Sequence, residues 1–221
     1  RGRLVAADIL VPGDASSAAF VIVAALITAA SDITIPGIGM NPLRTGLITT
    51  LQEMGGKIEI NNERIEGGEA VADVRVRHSE LIGISVPSSR AATMIDEYPI
   101  LSVAASVARG QTVMQGVAEL RVKETDRIKV MADGLAMAGV TVSYDDKSMT
   151  VTGGSVQGGV SIESRHDHRI AMSFLTLGMV AKVPITVTGC ETISTSFPGF
   201  ADLMNECGGA ITVSKAELTE Q

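Results

Sequence analysis

The feature that most constrains the fold is a unit that occurs three times along the chain. Each unit begins with an aspartate, continues through an apolar stretch and a central glycine, and closes on a glycine that ends a second helix. The leading aspartates are Asp14, Asp96 and Asp167, and the closing glycines are Gly55, Gly139 and Gly208. They lie 41, 43 and 41 residues apart, from 14 to 55, from 96 to 139 and from 167 to 208. A spacing kept this closely indicates an internal structural repeat.

Each repeat contains one helix that is apolar on all sides, and such a helix must be buried all round. Three of them predict a pseudo-threefold α/β (α+β) domain, an inverse α/β barrel of three βαβαββ-type units with the apolar helices inside and the sheets outside. We place the repeats roughly at 3–80, 81–152 and 158–214, within a single domain spanning 1–221. The chain has no Trp, two Tyr and four Phe, so its core must be aliphatic.

The same pattern predicts several local features. Strands are expected over residues 4–11 and 211–213, at the two ends of the repeated region. Asp14 and Asp96 each stand where a helix N-cap is expected, and Ser196-Phe197-Pro198 is typical of a helix start with proline in its first turn. Capping suffices to explain Asp14, whereas capping and catalysis explain Asp96 equally well.

Charge and hydropathy argue against several classes of protein. The formal net charge is −7 and there is no Lys/Arg run, so nothing indicates nucleic-acid binding. The uncharged stretch 15–30 is too short to span a membrane and indicates a buried helix. The two cysteines lack zinc-type or redox spacing and no secretion signal is apparent, so a cytoplasmic protein with reduced thiols is expected. Because Walker and dinucleotide-binding motifs are missing, no cofactor is expected.

The stretch 121–127 concentrates charge in a chain that is otherwise rich in Ala, Val and Ile. It lies between a predicted strand and a predicted helix, where loops often carry function. If Glu124 opens the helix, Lys123 and Arg127 are four residues apart and can face one point. Two cations and a carboxylate beside a helix N-terminus suit an anionic substrate that also needs proton transfer. A solvated, salt-bridged first turn of a helix would produce the same pattern.

The third repeat carries a second candidate site in residues 165–169 (RHDHR). His-x-His can bind a metal ion, but no third ligand has a suitable spacing, so no metal is expected. Arg169 offers a planar fork for a carboxylate or phosphate, and His168 can donate a hydrogen bond or carry a proton. An anion site is therefore favoured. In the second repeat, Glu97 is as well placed as Asp96 to be the functional acid.

Five segments of the chain occur in the order seen in 5-enolpyruvylshikimate-3-phosphate (EPSP) synthases. They are residues 12–18 (PGDASSA), 94–99 (MIDEYP), 121–127 (RVKETDR), 167–172 (DHRIAM) and 195–198 (TSFP). The chain most closely resembles the class II bacterial enzymes, which are known for members tolerant of glyphosate. The resemblance extends over nearly the whole chain, and the RVKETDR and DHRIAM motifs together are highly specific.

The resemblance implies transfer of the enolpyruvyl group of phosphoenolpyruvate to the 5-hydroxyl of shikimate 3-phosphate, by addition and then elimination of phosphate. This reaction belongs to the shikimate pathway of aromatic amino-acid biosynthesis. By the same resemblance, Asp96 contacts shikimate 3-phosphate and accepts a proton, and Glu124 is the other proton-transfer candidate. Lys123 is expected where the two substrates meet. The residues implied to bind phosphoenolpyruvate are Arg127 and Arg169, with His168 beside them.

Two departures from the family pattern affect this expectation. Thr195 stands where many plant and enteric relatives carry a lysine that binds phosphoenolpyruvate, so that contact must be reorganised. Family members are also about twice as long, and this chain resembles their C-terminal half. The half with most of the shikimate 3-phosphate contacts is absent. We therefore expect the chain to be inactive alone and to need the N-terminal half, as a separate chain or covalently linked.

Two alternatives are left open by the sequence. One is the sister enzyme that transfers enolpyruvyl to UDP-N-acetylglucosamine, which shares the repeat architecture but is disfavoured by the RVKETDR and DHRIAM motifs. The other is a non-catalytic domain that binds anions or serves in assembly while retaining the scaffold. Product analysis with each acceptor distinguishes the sister enzyme from an EPSP synthase. The non-catalytic domain would be favoured if the reconstituted enzyme did not need Asp96 and Glu124.

Overall fold

The structure, a computed structural model, describes residue 6 and residues 8–214 of the chain. The first repeat consists of α1 (Ala15–Ile27), β1 (Asp32–Gly39), α2 (Gly46–Glu53), β2 (Lys57–Glu66) and β3 (Glu69–Arg77). Its three strands form an antiparallel sheet in the order β1-β3-β2. The central strand, β3, alternates buried apolar and half-exposed polar side chains, so one face of the sheet covers α1.

The second repeat shows the predicted βαβαββ order in full. Its elements are β4 (Ser85–Val86), α3 (Tyr98–Val107), β5 (Gln111–Gln115), α4 (Arg127–Met137), β6 (Thr141–Tyr144) and β7 (Ser148–Thr152). The sheet order is β4-β5-β7-β6, with β4 and β5 parallel and the other pairs antiparallel. The connection from β4 to β5 runs through α3, as a parallel pair requires.

The third repeat is shorter among the residues described. It contains β8 (Ser161–Glu163), α5 (His168–Gly178), β9 (Thr186–Thr188), α6 (Ile193–Ser196) and α7 (Phe200–Glu206). The strands β8 and β9 pair in parallel on either side of α5, which repeats the arrangement of β4, α3 and β5. The first repeat keeps a remnant of the same pairing, a single parallel bridge between Gly13 and Ile38.

The helices α1, α3 and α5 pack against one another in the centre of the molecule. Nearly every residue of α1 and α3 is buried, and α5 buries seven of its eleven. The last residues of α1 and α3, Ile27 and Val107, line one cleft, so these two helices end on the same side. The predicted α/β fold with apolar helices inside and sheets outside is confirmed. No helix in the described part of the chain has the length and apolar character needed to cross a membrane.

Both predicted terminal strands are wrong where the structure describes them. Residues 8–11 form no strand and pair with no described strand, and the rest of the predicted strand 4–11 lies outside the described residues apart from residue 6. Residues 211–213 form no strand either. There the side-chain amide of Asn205 hydrogen-bonds both backbone groups of Ile211. It donates to the carbonyl oxygen at 2.8 Å and accepts from the N–H at 2.7 Å. A side chain thus replaces a neighbouring strand.

The last helix begins later than the sequence indicates. Phe197 and Pro198 precede α7, and Gly199 is its N-cap residue with a left-handed φ of 76°. Glycine adopts this conformation without steric cost, so it turns the chain between α6 and α7. The predicted helix start at Ser196-Phe197-Pro198 is therefore wrong.

Candidate active site

The first turns of α1 and α5 are fixed by aspartate caps. Asp14 accepts a hydrogen bond from the Ser17 N–H at 2.9 Å, which confirms its predicted role as an N-cap. Asp167 accepts from the N–H groups of Arg169 at 2.9 Å and Ile170 at 3.4 Å. Because the caps satisfy N–H groups that the helices leave free, they fix the side chains of these first turns.

Asp96 does not cap a helix, so the explanation of this residue as a helix N-cap is wrong. It lies in a 3₁₀ turn, Ile95–Glu97, that precedes α3, and its side chain makes no capping hydrogen bond. Pro99 occupies the first turn of α3 and has no N–H that needs an acceptor. The Asp96 carboxylate instead contacts two cations from later in the same repeat: its Oδ1 lies 3.3 Å from Lys123 Nζ and 2.9 Å from Arg127 Nη1.

Arg127 is the centre of the cluster. Its side chain is 1% exposed, and the side-on edge of its guanidinium faces Asp167, with Nε 2.8 Å from Oδ2 and Nη2 3.3 Å from Oδ1. Asp167 is 0% exposed. Nη1 donates to Asp96, and Nη2 also donates to Glu124 at 2.5 Å. One buried cation is thus surrounded by three carboxylates, the pairing that a buried charge requires.

The loop that carries Lys123 and Glu124 is closed by Arg121. Arg121 donates to the Asp126 carboxylate at 2.7 Å and to the Asp145 carbonyl oxygen at 2.8 Å. Asp126 in turn caps α4 by accepting from the Lys129 N–H at 3.1 Å. The helix therefore begins at Arg127, and the condition that Glu124 opens it does not hold. Lys123 and Arg127 nevertheless converge on Asp96, because the loop holds Lys123 over the same carboxylate that Arg127 reaches from the helix.

Arg169 is anchored at one nitrogen only. Its Nη1 donates to the Asp96 carbonyl oxygen at 3.0 Å and to Glu97 Oε1 at 3.2 Å. No described residue accepts a hydrogen bond from its Nε or Nη2, the two donors of the side-on edge. This edge matches a carboxylate or phosphate in geometry. The arrangement therefore leaves a preformed anion fork beside Asp96.

The charges of the cluster alter the pKa values of its members. Burial raises the pKa of Asp96, but the cations of Arg169, Lys123 and Arg127 outweigh burial and hold it below the usual value. The pKa of Lys123 is raised, first by its hydrogen bond to Glu119 and also by Asp96. Asp96 is therefore ionised and Lys123 protonated at neutral pH.

His168, the first residue of α5, lies at the edge of this cluster. Burial, and secondly the Arg169 cation, lower the pKa of His168, so its ring is neutral at neutral pH. Its side chain makes neither a hydrogen bond nor an ion pair with a described residue, whereas each of the other predicted site residues makes at least one of the two. Thr195 lies in α6 and donates to the Thr192 carbonyl oxygen at 2.7 Å. Among the described residues, no group of three or more His, Cys, Asp or Glu could hold a metal ion.

Two members of the cluster were missed as such by sequence reasoning. The sequence indicates that Asp167 leads its repeat, but nothing in the pattern shows that it also binds Arg127, which lies 40 residues earlier. Glu97 was considered only as an alternative to Asp96, whereas it receives hydrogen bonds from Ser16 Oγ at 2.5 Å and from Arg169. A carboxylate inside an apolar segment is the one signal that could have pointed to Glu97, because buried acids require partners.

Comparison with known proteins gives one consistent family. The family model described as EPSP synthase (3-phosphoshikimate 1-carboxyvinyltransferase) matches residues 1–204. The chain is 56% identical over 204 residues to the 3-phosphoshikimate 1-carboxyvinyltransferase of Parvibaculum lavamentivorans, covering 91% of this chain and 45% of the relative. It is 53% identical over 217 residues to the enzyme of the same name from Pseudomonas sp. strain PG2982, covering 97% of this chain and 48% of the relative.

Solved structures agree with this result. EPSP synthase from Acinetobacter baumannii matches with a TM-score of 0.94 and 47% identity, over 97% of this chain and 50% of that chain. The enolpyruvyl transferase NikO from Streptomyces tendae matches with a TM-score of 0.71 at 16% identity, which shows a shared fold. The chain spans about half the length of the curated relatives it matches.

Proposed function

The chain belongs to the EPSP synthase (3-phosphoshikimate 1-carboxyvinyltransferase) family, and from this premise we propose that it is the C-terminal half of a cytoplasmic enolpyruvyl transferase. The substrates in this proposal are phosphoenolpyruvate and shikimate 3-phosphate, and phosphate is released. The N-terminal half of the same enzyme completes the site, as a separate chain or covalently linked. We further propose that residues 1–221 form one domain with repeats roughly at 3–80, 81–152 and 158–214.

The observation that carries the proposal is the meeting of three distant segments at Asp96. Lys123 and Arg127 contact its carboxylate, and Arg169 binds its carbonyl oxygen. A solvated first turn of a helix would bring together only neighbouring residues, whereas Asp96 lies 31 residues before Arg127 and Arg169 belongs to the third repeat. Fixed cations beside carboxylates suit a reaction between two phosphorylated substrates that also transfers protons.

The reaction assigns different tasks to the two carboxylates. The 5-hydroxyl of shikimate 3-phosphate adds to C2 of phosphoenolpyruvate while the methylene carbon takes up a proton. Loss of that proton and of phosphate then restores the double bond in the product. Asp96, ionised at neutral pH, is in the form that accepts the hydroxyl proton. Glu124 is half-exposed at the end of the loop, where it can give a proton to the methylene carbon and take it back.

The cations serve the anionic groups of the substrates. Arg169 offers its unoccupied side-on edge to phosphoenolpyruvate, and Lys123 lies between the two substrates as a point charge. Arg127 donates four of its five N–H groups to carboxylates, so its contact with phosphoenolpyruvate uses the remaining N–H of Nη1 or a share of Nη2 with Glu124. His168, neutral at the edge of the cluster and next to Arg169 in the chain, is then free to hydrogen-bond phosphoenolpyruvate.

The test is phosphate release from phosphoenolpyruvate plus shikimate 3-phosphate, measured with this chain alone and then with the N-terminal half supplied. We expect turnover only after mixing. Turnover by the chain alone would refute the need for a partner. A folded complex that releases no phosphate would refute the transferase proposal and favour a non-catalytic anion-binding domain. Turnover with UDP-N-acetylglucosamine in place of shikimate 3-phosphate would assign the sister activity.

Two matched variants then test the assigned chemistry. Glu124→Gln should lower kcat of the reconstituted enzyme by about 10²–10⁴-fold, the usual contribution of a proton-transfer group. The control is Glu63→Gln, the same change at an exposed position of β2, which should leave kcat within about twofold. Equal activities of the two variants would remove Glu124 from the mechanism.

A further inference from the structure

Glu97 is a buried carboxylate that the proposed mechanism does not use. Its side chain is 4% exposed and it is the residue directly before α3. It does not cap that helix, since it makes no hydrogen bond to a free N–H of the first turn. Burying an ionised carboxylate is costly unless partners compensate for the lost water. Its partners therefore indicate what it does.

The partners of Glu97 come from the two other repeats. Ser16, in the first turn of α1, donates its hydroxyl to Glu97 Oε1 at 2.5 Å. Arg169, in the first turn of α5, donates Nη1 to the same oxygen at 3.2 Å. Ser16 Oγ also accepts from Arg44 Nη2 at 2.7 Å. Glu97 thus joins side chains from all three repeats at a single carboxylate oxygen.

The contact with Arg169 determines which edge of the guanidinium is left over. Glu97 and the Asp96 carbonyl oxygen both bind Nη1, at 3.2 and 3.0 Å. These two hydrogen bonds fix Nη1, and they leave Nε and Nη2 without an acceptor among the described residues. Arg127 has the opposite arrangement, because the carboxylate of Asp167 occupies its Nε and Nη2. Of the two arginines, Arg169 is the one whose bidentate edge is open.

We propose that Glu97 is a positioning residue, which holds Arg169 by Nη1 so that its side-on edge is presented to an anionic group of phosphoenolpyruvate. This inference rests on the proposed function. Glu97 itself touches neither substrate. The negative charge of Glu97 also balances Arg169 when the site is empty, and a fork that is already oriented loses less freedom when the substrate binds.

The test is the steady-state kinetics of Glu97→Gln in the complete enzyme, made of this chain and the N-terminal half. Glutamine keeps the volume and one carbonyl oxygen, but it removes the charge that holds Arg169. We expect KM for phosphoenolpyruvate to rise about tenfold, with kcat within about threefold and KM for shikimate 3-phosphate within about twofold. An unchanged KM for phosphoenolpyruvate, or equal rises for both substrates, overturns the inference.

A second background shows whether the effect passes through Arg169. In an Arg169→Lys enzyme, which keeps a cation but lacks the fork, Glu97→Gln should change KM for phosphoenolpyruvate by less than about twofold. A further tenfold rise in that background would mean that Glu97 acts by another route. If Glu97→Gln fails to fold, Ser16→Ala loosens Glu97 from the other side. It should raise the same KM by about two- to threefold, and no rise overturns the inference.

The control is Glu53→Gln, which breaks another Arg–carboxylate pair outside the cluster. Glu53 binds Arg90 through two hydrogen bonds of 2.6 and 2.7 Å. This variant should leave both KM values within about twofold of the wild type. The wild-type complete enzyme is measured first. No turnover there defeats the proposed function and this inference with it, whereas turnover with an unaltered Glu97→Gln enzyme defeats the inference alone.

Discussion

Replacing Arg127 with methionine should destabilise the chain more than replacing its buried partner, Asp167, with asparagine. Methionine fills similar space, but it leaves the Asp167 carboxylate, 0% exposed, without a cation. Removing one partner of a buried ion pair costs about 3–5 kcal/mol. Asp96 and Glu124 add less to the loss, because both are partly exposed and water can solvate them. A loss of this size lowers Tm by about 6–20 °C for a chain of this length.

Asp167→Asn is the milder change for a structural reason. The asparagine oxygen can still accept from the Arg169 N–H at the start of α5, so the cap survives. Arg127 also keeps two carboxylate partners, Asp96 and Glu124. The loss is then that of hydrogen bonds to a charged group, about 1.5–3 kcal/mol. The double variant should lose less than the two single losses added together, since it leaves neither charge unpaired.

The assay is urea unfolding of the purified chain, followed by circular dichroism. Arg75→Met is the matched control, because Arg75 binds Asp32 on the outer sheet with both side chains more than 40% exposed. This pair should contribute little to stability, because water already solvates both charges. The reasoning is refuted if Arg127→Met loses no more stability than Arg75→Met, or if Asp167→Asn loses more than Arg127→Met.

Three further predictions concern pH, packing and backbone strain. The pKa of Asp96 is lower in the folded than in the unfolded chain, so its ionised form contributes stability above about pH 4 that is lost as pH falls through the folded pKa. The gap in urea midpoint between wild type and Asp96→Asn should therefore narrow from pH 6 to pH 3, and a constant gap would contradict this. Gly134→Ala would place Cβ 2.3 Å from the ring of Phe174, so a loss of about 1–3 kcal/mol is expected, and an unchanged urea midpoint would show that the helix can shift. Arg165 adopts a left-handed φ of 56°, so Arg165→Gly should raise stability by about 0.5 kcal/mol, and a loss above 1 kcal/mol would show that its side chain matters more than its strain.

The sequence predicted the central helices well because their signals are local. A cap residue and an uninterrupted apolar run act within one repeat, and they place a buried helix within 15–30 where the structure has Ala15–Ile27. The predicted strands at the ends failed because a strand needs a neighbour, and no pattern within residues 211–213 shows that Asn205 replaces one. The role of Asp96 could not be settled either, since its partners lie about 30 residues further along the chain.

The sequence predicted which residues belong to the candidate site better than it predicted which of them form ion pairs. Charged residues in an apolar chain stand out, so Lys123, Arg127 and Arg169 were found directly. Two of these cations also bind a carboxylate of a neighbouring repeat, and one repeat alone carries no record of such a pairing. The assignment of Asp167 to Arg127, and of Glu97 to Arg169, came only from the structure.

The carboxylate of Glu97 also bears on the order of folding. Its contacts with Ser16 and Arg169 close loops of 81 and 72 residues, whereas each sheet pairs strands within one repeat. Closing a longer loop costs more entropy, and distant contacts slow folding. We therefore expect helices and sheets to form before this ionic junction, with φ-values near zero for Ser16, Glu97 and Arg169. The circular dichroism signal should then recover during refolding before anion binding does. The delay between the two signals would measure how slowly Glu97 forms its contacts with Ser16 and Arg169.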